Sequence, residues 1–180
     1  MSRWQPLLEQ VAHERYPRLV AYASLLAGSR AEAEDLVQDA LVATFSSRAR
    51  FTTLPEAEAY VRRSVASRAI DRGRRRTVER AALRVVAGRP GPPPPSPDAG
   101  IVGEDVLAAL GRLAPRERAC VVLRYMDDLS LRDTARTLGL SEGAVKRYTS
   151  DGVARLNAEL GTEASTHVPV ETQEKEVRRA

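Results

Sequence analysis

The chain has 180 residues, 43% of them hydrophobic and only 4% aromatic, with a formal net charge of +4. That length suits one or two small domains, and an apolar fraction drawn mainly from alanine, leucine and valine favours helices over sheets. Cys120 is the only cysteine, so no internal disulfide can form, and no apolar run reaches the roughly 18 residues of a membrane span or resembles a signal-peptide core. A cytoplasmic protein without membrane insertion is expected.

The first predicted helix covers Leu7–Leu26, where apolar residues recur at spacings of three and four, and Gly28-Ser29 closes it. A second covers Ala33–Phe45. Leu36, Val37, Ala40, Leu41 and Phe45 form its core side; Glu32, Asp35, Gln38 and Asp39 lie opposite, with Val42 among them. An apolar side chain inside an acidic face points to a protein contact. After a loop over 46–55, Pro55 just inside a helix start opens a third element, whose residues Tyr60, Ser64, Ser67 and Asp71 form a stripe flanked by Arg63 and Arg68. From Arg62 to Arg84 nine arginines stand against Asp71 and Glu79. Such arginines can neutralise phosphates, and Phe51 and Tyr60 can offer faces on which unpaired bases stack.

The next stretch, AGRPGPPPPSPDAG, has six prolines in fourteen residues. Prolines in series cannot continue a helix and favour extended polyproline II, so this is a linker. Helical periodicity returns over Val106–Met126, with Pro115 starting a helix; Cys120 reads as a small core residue, and Asp127-Asp128, at a helix end, as solvated rather than as a metal pair. The stretch LSLRDTARTLGLSEGAVKRYTSDGVARL has the layout of a helix-turn-helix. Ser130 and Asp133 make a capping box, Ala135 is small where two helices cross, Gly139 supplies the turn, and Ser141 caps the second helix. On that helix Val145, Thr149, Gly152, Val153 and Leu156 face inward. Ala144, Lys146, Arg147, Ser150 and Asp151 face out, with Asp151 expected to pair with Arg147 or Arg155 one turn away. An outer face of this kind can enter the major groove by its N-terminal end. The residues after Leu160 are polar and aperiodic, and disorder is expected there. His13 and His167 are far apart, and no Gly-rich phosphate loop, metal-ligand cluster or nucleophile elbow is present, so no enzyme, metal or cofactor is expected.

Three stretches, in this order and spacing, carry a resemblance: AEDLVQDALVATF, AYVRRSVASRAIDRGRRR and LAPRERACVVLRYMDDLSLRDTARTLGLSEGAVKRY. Over about residues 12–160 the chain resembles bacterial RNA polymerase sigma factors of the extracytoplasmic-function (ECF) group, of actinobacterial type. The resemblance implies an all-α fold of two small helical domains. Residues 1–86 would form the region 2 bundle, 87–103 a Pro-rich linker, 104–160 the region 4 helix-turn-helix, and 161–180 a tail.

The same resemblance implies the partners: RNA polymerase core, through the clamp of its largest subunit and its flap, and promoter DNA. An anti-sigma factor is a further expected partner, because most relatives are held by one. Asp35, Leu36, Gln38, Asp39 and Val42 would dock on the clamp. Phe51, Tyr60, Arg63, Ser64 and Ser67, with Arg68, Asp71, Arg72, Arg74 and Arg75, would recognise the −10 element on an opened strand. Ser141, Glu142, Ala144, Lys146, Arg147 and Ser150 would read the −35 element. Tyr60 and Ser67 stand where many members have tryptophan and asparagine, and Asp151 where many have a basic residue. The competing reading is a dimeric helix-turn-helix regulator that binds duplex DNA without joining polymerase; it leaves the acidic face and the arginine strip as coincidence.

Overall fold

The computed structural model describes residues 4–47, 49–84 and 103–161, apart from the side chains of 77–84. The expected linker and tail lie outside these residues, save for 103 and 161 themselves. Among the described residues there are eight helices and no strand: α1 (Gln5–Glu14), α2 (Tyr16–Ser24), α3 (Arg30–Phe45), α4 (Leu54–Arg84), α5 (Glu104–Arg112), α6 (Pro115–Tyr125), α7 (Leu131–Leu138) and α8 (Glu142–Leu160). The expected all-α class is what the chain adopts.

Local chemistry sets most of the boundaries. The helix expected over Leu7–Leu26 divides at Arg15, the cap shared by α1 and α2. Pro17 has no N–H for the carbonyl four residues back, and its ring would collide with it, so a continuous helix fails there. Ser29 opens α3 rather than closing α2: its hydroxyl accepts from the Glu32 N–H at 3.2 Å. Thr53 caps α4 in the same way, accepting from the Glu56 N–H at 3.3 Å. α4 then runs for 31 residues. Gly73 inside it costs only about 1 kcal/mol, too little to end a helix packed along one side.

In the helix-turn-helix the Ser130 and Ser141 hydroxyls accept from the N–H groups of Asp133 (3.0 Å) and Ala144 (3.2 Å). Gly139 turns the chain at φ 62°, a conformation only glycine adopts without strain. Cys120, Ala135 and Val145 form the small core beneath these helices. Burial pushes the Cys120 thiol up to about 11, as expected of a core residue.

A four-helix bundle of α1–α4 encloses Leu8, Val11, Leu19, Leu36, Val37, Val61 and Val65, all fully buried. α8 lies across α6 so closely that a Cβ on Gly152 would come within 2.7 Å of Val121. The two modules are not separate bodies. α4 packs against α6 and α7, and the bundle core continues into Leu110, Leu113, Ala119 and Val122 of the second module. Where α4 meets the start of α6, a Cβ on Gly73 would sit 2.6 Å from that of Pro115.

Candidate nucleic-acid interface

Three surfaces carry the charged residues singled out above. The first is the outer face of α3. Asp35, Gln38, Asp39 and Val42 are exposed there, with Val42 at 66%. The opposite side of the helix is buried, so the acids cannot turn inward. Leu36 corrects the expected docking set: at 0% exposure it belongs to the bundle core and can touch no partner. Glu32 corrects the expected acidic face, being buried at the start of α3. Its Oε2 accepts from the Gly28 N–H at 2.7 Å and from Arg76 at 2.8 Å.

The second surface is the exposed stripe of α4. Arg72 donates to Asp39 Oδ2 at 2.6 Å and lies 3.7 Å from Asp35 Oδ2, so acids and arginines meet within one module. The side chains involved are a quarter to two-thirds exposed, and pairs of that kind contribute roughly 0–1 kcal/mol; a competing charge can separate them. Arg74, Arg75 and Asp71 are exposed, while Arg63, Ser64 and Ser67 are half-buried. Arg68 is also half-buried, and its Nε finds no hydrogen-bond partner among the described residues. Tyr60 is half-buried against Phe51, with ring centroids 5.3 Å apart. Phe51 is only 6% exposed, covered by Tyr60 on one side and by Trp4 at 6.0 Å on another. The expectation that Phe51 offers an open face to a base therefore does not hold in this conformation: its ring is already packed.

The third surface is the N-terminal half of α8. Ser141, Glu142, Lys146, Arg147 and Ser150 are exposed, and Ala144 is half-buried. The Ser141 hydroxyl already serves as the cap. Asp151 pairs with neither expected arginine. Arg155 donates to Glu117 at 2.8 Å, and the Arg147 guanidinium lies 5.1 Å over the Tyr148 ring. Arg147 is thus engaged with Tyr148 while its side chain stays exposed, within reach of guanine or phosphate.

A polar joint between the modules was not legible beforehand. Asp127, expected to be solvated, has a side chain only 8% exposed. It accepts from the Tyr22 hydroxyl at 2.6 Å and lies 3.4 Å from Arg62 Nε. Burial, before any other cause, raises the Asp127 carboxyl above its ordinary value and the Tyr22 phenol well above its own. Nearby, Arg118 donates to the Leu26 and Ala27 carbonyls at 3.1 and 3.4 Å, and to Gly111 of its own module at 2.5 Å. Two carbonyls of the turn that follows α2 are thereby satisfied across the joint.

Comparison with known proteins decides what these surfaces belong to. The sequence profile described as Sigma-70 region 2 matches residues 11–79, and that described as Sigma-70, region 4 matches residues 103–156. The chain is 30% identical over 174 residues to the RNA polymerase sigma-E factor of Streptomyces coelicolor, covering 93% of this chain and 94% of that one. It is 31% identical over 157 residues to the ECF RNA polymerase sigma factor SigM of Mycobacterium tuberculosis, covering 85% and 76%. The chain belongs to the ECF group of RNA polymerase sigma factors. Among solved structures, the sigma factor RpoE of Bartonella quintana, crystallised with the anti-sigma factor NepR, is similar with a TM-score of 0.60 and 25% identity, over 86% of this chain and 97% of that one.

As a sigma factor the protein binds RNA polymerase core and promoter DNA and directs initiation at promoters. The dimeric-regulator reading falls, because the α1–α4 module it left without a role is the one matched by region 2. Among the described residues no helix is long and apolar enough to cross a membrane.

Proposed function

We propose that the sigma factor divides its work among the three surfaces. Asp35, Gln38, Asp39 and Val42 on α3 dock on a basic clamp surface of the polymerase core. Tyr60, Ser64, Ser67 and Asp71, with Arg63, Arg68, Arg72, Arg74 and Arg75, handle the −10 element as it opens. Glu142, Lys146, Arg147 and Ser150 on α8 read the −35 element. Residues 1–86 and 104–160 serve as the two domains, and 87–103 as the tether between them. The chain acts by binding, with no reaction or cofactor of its own, and works in the cytoplasm where polymerase and chromosome are. An anti-sigma factor is its regulator, as NepR is crystallised with the similar RpoE of Bartonella quintana.

One observation supports this reading above the rest: α3 keeps three polar side chains and Val42 exposed on the face opposite its buried core residues. Acids there attract a basic partner protein and repel DNA, which separates the docking surface from the DNA readers. Each reader alone spans few base pairs and binds weakly; joining both on one polymerase can multiply affinity 10²–10⁴-fold without new contacts. Run-off transcription with purified core polymerase on a library of genomic fragments tests the proposal. New start sites that appear only with the protein, preceded by a common pair of sequence elements, are expected. Unchanged start sites would overturn it.

A further inference from the structure

Two helices of the second module bring together three side chains that no single stretch of sequence joins. Arg116 stands in the first turn of α6, and Arg147 and Tyr148 stand in the first half of α8. Arg116 donates to the Tyr148 hydroxyl at 3.4 Å. The Arg147 guanidinium lies over the ring of the same tyrosine, 5.1 Å from its centroid. Hydrogen bonding from Arg116 first, and then from Arg147, lowers the Tyr148 phenol from its ordinary value of 10.0. The ring is half-buried and packs on the small core of Cys120, Ala135 and Val145, so the tyrosine is a fixed point to which both cations are tied.

Guanidiniums repel each other, and at an exposed site each has an easy escape into water. Arg116 and Arg147 are both exposed, and neither meets a carboxylate among the described residues. Glu117, beside Arg116 in sequence, is buried and already accepts from Arg155 at 2.8 Å and from the Ala114 N–H at 3.2 Å. Charge gathered in this way and left unneutralised suits an anion, and phosphates line both edges of the groove that α8 is placed to enter. One turn beyond Arg147 the outer face of α8 carries an acid, Asp151, so a further cation has to come from another helix. Arg116 reaches the same tyrosine as Arg147 and therefore flanks that groove. Core packing accounts for the Tyr148 ring but not for its hydroxyl, since phenylalanine would fill the same space.

We propose that Arg116 grips a backbone phosphate beside the −35 element, and that Tyr148 is a positioning residue that holds Arg116 by its hydroxyl and Arg147 by its ring. The proposal rests on the reading of α8 as the −35 helix. Phosphate contacts fix register on the duplex, and base contacts supply discrimination. Arg116 therefore acts alike on every sequence, while Arg147 favours one. Through Tyr148 the two are set together, so the grip on the backbone also fixes the side chain that reads.

The full chain is titrated against a labelled −35 duplex and a scrambled duplex over a series of potassium chloride concentrations. Arg116→Ala is expected to weaken binding of both by the same factor, about 3- to 10-fold, and to lower the slope of log affinity against log salt by about one. Tyr148→Phe keeps the ring and is expected to leave circular dichroism and the unfolding midpoint unchanged. It is expected to lose about 2- to 5-fold in affinity and to make an added Arg116→Ala nearly silent, because the two residues act as one unit. Unchanged affinity and slope in Arg116→Ala would overturn the phosphate contact. An Arg116→Ala effect as large in the Tyr148→Phe background as in wild type would overturn the positioning role, and so would a loss of helicity in Tyr148→Phe, which would make the hydroxyl structural. Wild-type protein that binds both duplexes alike would instead sink the −35 reading of α8, while the salt slope of Arg116→Ala still judges the phosphate contact.

Discussion

α4 and α8 both carry cations on an outer face, yet they hold them differently. Lys146 and Arg147 on α8 are exposed and make no ion pair among the described residues. On α4, Arg62 lies against Asp127, Arg72 against Asp35 and Asp39, and Arg76 against Glu32. A cation on α8 meets phosphate after releasing only water and counter-ions; one of these on α4 must first leave a carboxylate. Net charge alone therefore misjudges the two helices: Arg62, Arg72 and Arg76 of α4 are already engaged with carboxylates, while Arg74 and Arg75 are exposed.

The largest expected effect comes from the acids that separate the two cases. Asp35→Arg with Asp39→Arg should weaken core binding about 100-fold or more, as like charge replaces complementary charge at an interface. Titration of labelled protein with core polymerase measures it, and native-like circular dichroism with unchanged affinity would refute the docking face. Next in size, Leu36→Ala should cost about 2–5 kcal/mol in denaturant unfolding, since it empties a fully buried site. Val42→Ser should shift stability by no more than about 0.5 kcal/mol while weakening core binding. Equal losses of stability in the two would mean that α3 has no outward role.

Arg147→Ala should cost about 1–3 kcal/mol of promoter discrimination through the −35 element. Its test is transcription from paired templates; a loss that persists equally on a scrambled −35 sequence would contradict the assignment. The smallest effect is a pH dependence at the joint. Burial first, then Asp127, holds the Tyr22 phenol neutral well above the ordinary tyrosine value of 10.0, while Arg62 pulls the other way. The sign follows: a folded-state value above the unfolded one gives stability that is intact below about pH 10 and lost as pH climbs through the raised value. Unfolding measured from pH 8 upward should show that alkaline loss in wild type and a smaller one in Tyr22→Phe.

What the sequence revealed was local. Ser130, Gly139, Ser141, Thr53 and Pro115 act within a few residues of themselves, so their roles as caps and turns follow from spacing alone. The helical wheel of α3 separates its faces as well and puts Leu36 on the core side; only the family resemblance places it among the docking residues. The contacts that eluded sequence reasoning are long-range. Tyr22 and Asp127 are 105 positions apart, and no periodicity links them. Asp127 has an adequate local reading as a solvated helix end, Pro115 as a helix start. Phe51 reads as an open aromatic because nothing in the sequence brings Trp4 to its ring.

The most direct test compares DNA binding by the protein alone and by its complex with core polymerase, using a −35 duplex and a −10 non-template single strand as separate probes. The account predicts weak but measurable binding of the duplex by the protein alone, no detectable binding of the single strand, and tight binding of both once core is present. Single-strand affinity equal with and without core would contradict it.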